Sequence, residues 1–255
     1  MPAPLSAALL SALGIVRGDV VSVVGAGGKT TLVYALAAQA RAAGMRVLVT
    51  TTTHMGTLAE ATTGPVMVES EAGEAATEAE LARALATEGR ATVLGRRVRA
   101  DKLEGLAPQR VDALARAADL VLVEADGARG RSLKAPAAHE PVIPSSTTRV
   151  VVVAALDALG LPLDEVRVHR LEVVCALTGA EPGAMVDAGL MAAVLAHASS
   201  YPSRIPAGVR AGVFLNKADD EPALQAARAV AAGLVPPYDF VAAGSARDGR
   251  GIVLA

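Results

Sequence analysis

Residues 19–31 read DVVSVVGAGGKTT, and this stretch decides the fold. Positions 19–24 form a short apolar run rich in valine, the composition of a strand buried on both faces. Positions 29–43 place Leu32, Leu36 and Ala40 at helical spacing, and Gly44 closes the run. Between strand and helix lie Gly25, Ala26, Gly27, Gly28, Lys29, Thr30 and Thr31. Glycines there let backbone N–H groups turn inward around phosphate oxygens. The helix N-terminus adds free donors and positive potential. Lys29 is placed to reach the outer phosphates of a nucleotide, and the Thr30 hydroxyl to ligate Mg²⁺.

Outward from the loop, short apolar runs alternate with helical ones. Strands are predicted at 46–50, 91–94, 119–124, 149–154, 211–215 and 238–242. Helices are predicted at 2–13, 74–88, 108–118, 184–197 and 221–232. The stretch 2–13 lacks a basic start and leads into a motif-bearing strand, so it reads as a helix of the domain rather than a signal peptide. Such alternation implies right-handed βαβ units. The expected fold is α/β: a P-loop NTPase-like, mostly parallel sheet with helices on both faces, as a single domain over 1–255.

Composition narrows the function. The net charge is −2 and aromatics make up 2%, which leaves neither a basic footprint nor stacking platforms for nucleic acid. The single cysteine, Cys175, excludes an internal disulfide and a cysteine-based zinc site; its apolar neighbours predict a buried, inert thiol. No apolar run approaches the roughly 18 residues of a membrane span. A cytoplasmic protein without membrane or nucleic-acid partners is expected.

The full G-x-x-x-x-G-K-[ST] pattern needs glycine at position 23, where this chain has Val23, so the loop is the shorter G-x-x-G-K-T form. That form occurs in ATP-dependent ligases of the cell-wall type. The strand at 119–124 ends in Glu124-Ala125-Asp126-Gly127. Strand C-termini line the ligand crevice of doubly wound folds, so Glu124 and Asp126 are candidates for Mg²⁺ and catalysis. The run Thr50-Thr51-Thr52-Thr53 follows the second strand and is read equally as phosphate contacts or as strand extension. Asn216-Lys217-Ala218-Asp219 matches N-K-x-D, in which an aspartate accepts two hydrogen bonds from the guanine edge that adenine cannot offer. Ser245 and Ala246, after the last central strand, suit a second base-contacting loop. The competing reading makes Asp219 or Asp220 the cap of the following helix.

Positions 129–144 read RGRSLKAPAAHEPVIP, starting at the mouth of the presumed site. Arg129, Arg131 and Lys134 suit phosphates or an anionic substrate, and His139 and Glu140 an acid–base pair or substrate contacts. His169 and His197 are read as structural.

Taken together, GAGGKTT at 25–31, TTTTHM at 50–55, VEADGARGRSLKAPAAHEPVIP at 123–144, VHR at 168–170 and FLNKAD at 214–219 resemble the YqeC family. The resemblance is collinear and spans most of the chain. It implies a P-loop NTPase-like fold and an accessory role in maturing selenium-dependent molybdenum hydroxylases, with a hydroxylase or its cofactor as partner. It carries over Lys29, Thr30, Glu124, Asp126, Lys134, His139 and Glu140. The leading expectation is a Mg²⁺-dependent NTPase that prefers GTP. The alternatives are an ATP-dependent ligase or kinase acting on a small anionic or cofactor-like substrate, and a nucleotide-gated binding module without significant hydrolysis.

Overall fold

A computed structural model describes residues 7–56, 64–99 and 102–255. In chain order its first half contains β1 (Ala7–Ala8), α1 (Leu9–Ala12), β2 (Val20–Gly25), α2 (Lys29–Ala42), β3 (Val47–Thr51), β4 (His54–Gly56), β5 (Val66–Val68), α3 (Glu69–Ala72), α4 (Glu74–Thr87), β6 (Arg90–Leu94), β7 (Arg96–Arg99), β8 (Lys102–Glu104), α5 (Pro108–Leu114) and β9 (Leu120–Glu124). The second half contains β10 (Leu133–Lys134), β11 (Arg149–Ala155), β12 (Val168–His169), α6 (Leu171–Thr178), α7 (Ala188–Ala196), β13 (Arg210–Asn216), α8 (Glu221–Ala231), β14 (Phe240–Ser245) and β15 (Arg250–Val253).

Ten of these strands form one sheet in the order β1-β15-β14-β13-β11-β2-β9-β3-β6-β5. Every pairing from β14 to β5 is parallel, whereas β15 is antiparallel to β14 and to β1. The chain leaves β2 through α2, skips one place to β3, and later returns to fill that place with β9. From β9 it crosses to the other side of β2, where β11, β13 and β14 follow outward. The direction of winding therefore reverses around β2, and the crevice at such a reversal lies at the strand C-termini. Gly25 to Thr31 and Glu124 to Gly127 both leave the sheet there.

Period-2 alternation explains why the sheet is covered on both sides. One side chain set, Val21, Val23, Val47, Val49, Leu120, Leu122, Val151 and Val153, packs with Leu32 and Leu36 of α2 and Leu9 of α1. The alternate set, Val20, Val24, Leu48, Val121, Val123, Val150 and Val152, packs with Leu81 of α4, Val111 of α5, Met191 of α7 and Leu224 of α8. All of β11 is buried, as are β2 and β9. Each fully buried valine contributes on the order of 1.5–3 kcal/mol of transfer free energy, so these unbroken apolar strands hold the site's floor rigid.

Three expectations need correction, and one helix went unforeseen. The N-terminal helix is confined to α1, because Ala7 and Ala8 pair with Gly251 and Arg250; positions 2–6 of that predicted helix lie outside the described residues. The helix predicted from 184 begins at Ala188, since Ala184 and Val186 use their backbone on Leu163, Leu161 and Gly160, and Asp187 caps the helix by accepting from Leu190 N. Helix α6 escaped prediction: its run is short, starts at a left-handed Arg170 and ends at Gly179. Cys175 lies on that helix and is partly exposed, not buried.

The N-cap of α8 is Asp220, whose carboxylate accepts from Ala223 N at 2.9 Å, while Asp219 is exposed and takes no part in the cap. Asp220→Ala is therefore expected to cost about 1 kcal/mol in urea unfolding, and Asp219→Ala to leave stability within a few tenths. Equal losses in both variants would contradict this division of roles.

Candidate functional site

At the end of β2 the chain turns through glycines with positive φ: Gly25 at 98°, Gly27 at 84° and Gly28 at 119°. A Cβ on Gly25 would strike the Val153 carbonyl, and one on Gly28 the Asn216 amide, so side chains are excluded at both places. The amide of Gly25 donates to both Asp126 oxygens, at 3.1 and 3.0 Å, and that of Ala26 donates to Val153 O at 2.8 Å. These two amides are thus used by the scaffold, a correction to their expected place in a phosphate cradle. Gly27 through Thr31 remain, and all of them line the adjoining cavity. The first amides of α2 have no intrahelical acceptors and point to the same space.

Buried charges support the loop from below. Asp126 has a side-chain exposure of 0%, and Lys134, also 0%, donates to it at 2.7 Å. Lys134 further donates to Gly127 O at 2.6 Å and pairs with Glu140 at 2.7 Å. Glu140 in turn pairs with Arg170 at 2.8 Å. On the loop side, Lys29 Nζ donates to Gly25 O at 2.9 Å and lies 3.3 Å from Asp126 and 3.7 Å from Glu124. The Thr30 hydroxyl donates to Glu124 at 2.7 Å. Cations and carboxylates alternate through the whole chain Arg170, Glu140, Lys134, Asp126, Lys29, Glu124, which is what allows so many charges to be buried together.

The surroundings set protonation. Burial raises the Glu124 carboxyl above its ordinary range, against the opposing pull of Lys29 and Thr30. Burial alone would also raise Glu140, but hydrogen bonds from Arg170 and Lys134 outweigh it and bring it down to about 2. His169, beside Lys134 across the β10–β12 ladder, is lowered to about 4 by burial and by the charges of Arg170 and Lys134, so it is neutral at pH 7.

A cavity of about 1190 Å³ opens over these groups. Of the expected site residues, Gly27, Gly28, Lys29, Thr30, Thr31, Glu124, Arg129, Arg131, Glu140 and Lys217 line it. Lys134 and Asp126 are instead sealed beneath it, so Lys134 cannot contact substrate from where it lies and Asp126 is held by Gly25 and two lysines rather than facing an ion. His139 is exposed and outside the cavity, which removes it from the expected acid–base pair. His169 and Arg170 do line it. His169 was expected to be structural; the two-residue strands β10 and β12 that bring this segment in are too short to show a period in the sequence. The threonine run is largely structural: Thr50, Thr51 and Thr52 donate to the carbonyls of Val93, Glu124 and Val142, leaving Thr53 at the cavity wall.

Asn216 ties three loops together. Its amide donates to Gly27 O at 2.7 Å and its oxygen accepts from Ala246 N at 2.9 Å. Lys217 stands in the left-handed region at φ 63° with its ammonium on Asp157. Ser245 is buried and accepts from Asp248 N at 3.3 Å. Asp219 is exposed on the same loop.

A family model described as YqeC protein matches residues 21–172, from the first central strand to the start of α6. The chain belongs to the YqeC family. The Escherichia coli (strain K12) protein described as "Uncharacterized protein YqeC" is 36% identical over 204 residues, which cover 79% of this chain and 77% of that one. Among solved structures, chloroplast FtsY from Physcomitrella patens is 18% identical with a TM-score of 0.46, covering 95% of this chain and 64% of that chain. FtsY from Mycoplasma mycoides is 15% identical with a TM-score of 0.42, covering 93% and 63%. This YqeC-family chain therefore spans less than two thirds of the length of either FtsY chain.

Two outcomes test the charge network. Lys134→Ala would leave Asp126 and Glu140 without their shared cation and is expected to cost roughly 3–5 kcal/mol in denaturant unfolding. Glu140, lowered to about 2 from an ordinary 4.5, stabilises the fold above pH 4.5 and loses that contribution as the pH falls through 2. The stability difference between wild type and Glu140→Gln should therefore shrink between pH 4.5 and 2; a constant difference would show that the carboxyl titrates normally.

Proposed function

We propose that this protein is a Mg²⁺-dependent nucleotide-binding protein and NTPase, with GTP preferred over ATP, that serves as an accessory factor in the maturation of selenium-dependent molybdenum hydroxylases. The observation that carries the nucleotide part is the Asn216 side chain. It joins the phosphate loop, the N-K-x-D segment and the Gly-Ser-Ala segment in one place, where a chance motif would have no reason to sit. Asp219, left out of the helix cap, is free to accept the guanine ring N–H and exocyclic amine. The maturation role rests on the family alone.

The residues present fit a magnesium ion. Thr30 and Glu124 are a hydroxyl and a carboxylate 2.7 Å apart at the cavity wall, hard oxygen donors of the kind that ion takes in small number. When bound, the ion would neutralise charge on the phosphate oxygens. Lys29 would move from Asp126 and Glu124 toward the phosphates, and the amides of Gly27 to Thr31 would hold them. Lys134 would then remain as the counter-charge of Asp126. A second reading, transfer of a phosphoryl group to an acceptor, is favoured by the cavity extending past Glu124 toward Arg170.

Calorimetry with Mg²⁺ separates these readings. GTP is expected to bind wild type, to be lost in Lys29→Ala, and to weaken about 10- to 100-fold in Asp219→Ala, the loss of a charge-assisted hydrogen-bond pair. ATP binding indifferent to Asp219 would overturn the GTP preference, and no binding of either nucleotide would overturn the whole reading. Stimulation of hydrolysis by an apo molybdenum hydroxylase is the expected outcome for the accessory role, and its absence would contradict that role.

A further inference from the structure

The cavity is not centred on the nucleotide loops. Ser245, Ala246 and Asp219, the segments proposed for the base, do not line it, and only Lys217 does from that side. Besides Gly27 to Thr31, Glu124 and Lys217, its wall is built by 127–131, Glu140, Glu165 and 169–172, with Thr53, His54 and Lys102 completing it. At about 1190 Å³ the space exceeds the roughly 300–1,000 Å³ of an ordinary single-ligand site.

Arg129, Arg131 and Arg170 converge on that wall. The side chains of Arg129 and Arg131 make no hydrogen bond or ion pair among the described residues. Arg170 is held by Glu140 but still faces the cavity. Arg129 and Arg170 both sit in the left-handed backbone region, at φ 49° and 64°. Non-glycine residues rarely adopt it, and they concentrate at ligand sites when they do. Between them His169 offers an uncharged imidazole at neutral pH. Of the acids of this wall, Glu140 is engaged by Lys134 and Arg170, while Glu165 and Glu172 stand exposed at its rim.

We infer that the wall formed by Arg129, Arg131 and Arg170 is a second-ligand subsite for a small oxyanion, a phosphate ester or polycarboxylate, seated next to the terminal phosphate of the nucleotide. Planar guanidinium groups match the paired oxygens of either anion. Glu165 and Glu172 accept hydrogen bonds from donor groups on the outer part of the same molecule. The ligand's place relative to the nucleotide rests on the phosphate-loop reading above; the existence of the subsite does not.

The test uses the full chain, with inorganic phosphate and citrate as probes. Each is titrated by calorimetry into wild type, into wild type saturated with Mg²⁺ and a non-hydrolysable GTP analogue, into Lys29→Ala, and into Arg129→Ala/Arg131→Ala. One of the two anions is expected to bind wild type, to bind still when the analogue is present and in Lys29→Ala, and to weaken at least tenfold in the double arginine variant. That variant's melting temperature should match wild type, since neither side chain supports the fold. Tighter phosphate identifies a phosphate ester, and tighter citrate a polycarboxylate. Binding of neither anion, or binding lost with Lys29 and kept without the arginines, would overturn the subsite. If the analogue fails to bind, the nucleotide reading falls, and the Lys29→Ala and arginine titrations still decide the subsite.

Discussion

Asp126 holds a buried negative charge between the ammonium groups of Lys134 and Lys29, and the first amide of the phosphate loop hangs from the same carboxylate. A carboxylate without such neighbours would be strongly disfavoured at 0% side-chain exposure. The loop's shape and the charge network therefore depend on one another. Gly25 donates its N–H to that carboxylate and, with positive φ, turns the following chain into the loop, and β9 must end where it does to present the carboxylate. Because β9 lies directly beside β2 in the sheet, the parallel register of Val23 with Glu124 brings these two ends together. Sheet order, loop conformation and electrostatics are here one constraint.

That constraint extends sideways through Lys134 to Glu140 and Arg170. The glycine-rich loop and the arginine-lined wall of the cavity are thus joined by contiguous ion pairs, buried at Asp126 and Lys134 and partly exposed at Glu140 and Arg170. A ligand drawing Lys29 or Arg170 toward itself alters the balance of charge along the whole row. The central sheet beneath is packed with buried valines on both faces and gives the row little freedom to relax in any other way.

Much of this was legible in the sequence because the informative features are local. A buried strand, glycines, Lys-Thr and a helical run within residues 19–43 suffice to place the loop, and the alternation of apolar runs yields a mostly parallel sheet. That Glu124 and Thr30 face the cavity was legible from the strand that ends in Glu124 and from the place of Thr30 at the helix start. The misreadings fall where long-range pairing decides. Lys134 looked like a solvent-facing substrate ligand because nothing near it in sequence shows that Asp126 and Glu140 will enclose it. His139 and Glu140 are neighbours in sequence, yet one faces solvent and the other the cavity. His169 and Arg170 reach the site through a two-residue ladder between β10 and β12, too short to leave a period. The amides of Gly25 and Ala26 match the loop motif but are taken by Asp126 and Val153.

In the proposed function, Gly27 to Thr31, and not the whole glycine-rich stretch, form a phosphate cradle suspended from Asp126. Amide NMR of the isotope-labelled protein during titration with Mg²⁺ and GTP tests it most directly. The amides of Gly27, Gly28, Lys29, Thr30 and Thr31 are expected to shift together as nucleotide is added, while those of Gly25 and Ala26, already donating to Asp126 and Val153, move little. Loop amides that stay still at saturating nucleotide, or a response centred on Gly25 and Ala26, would contradict the account.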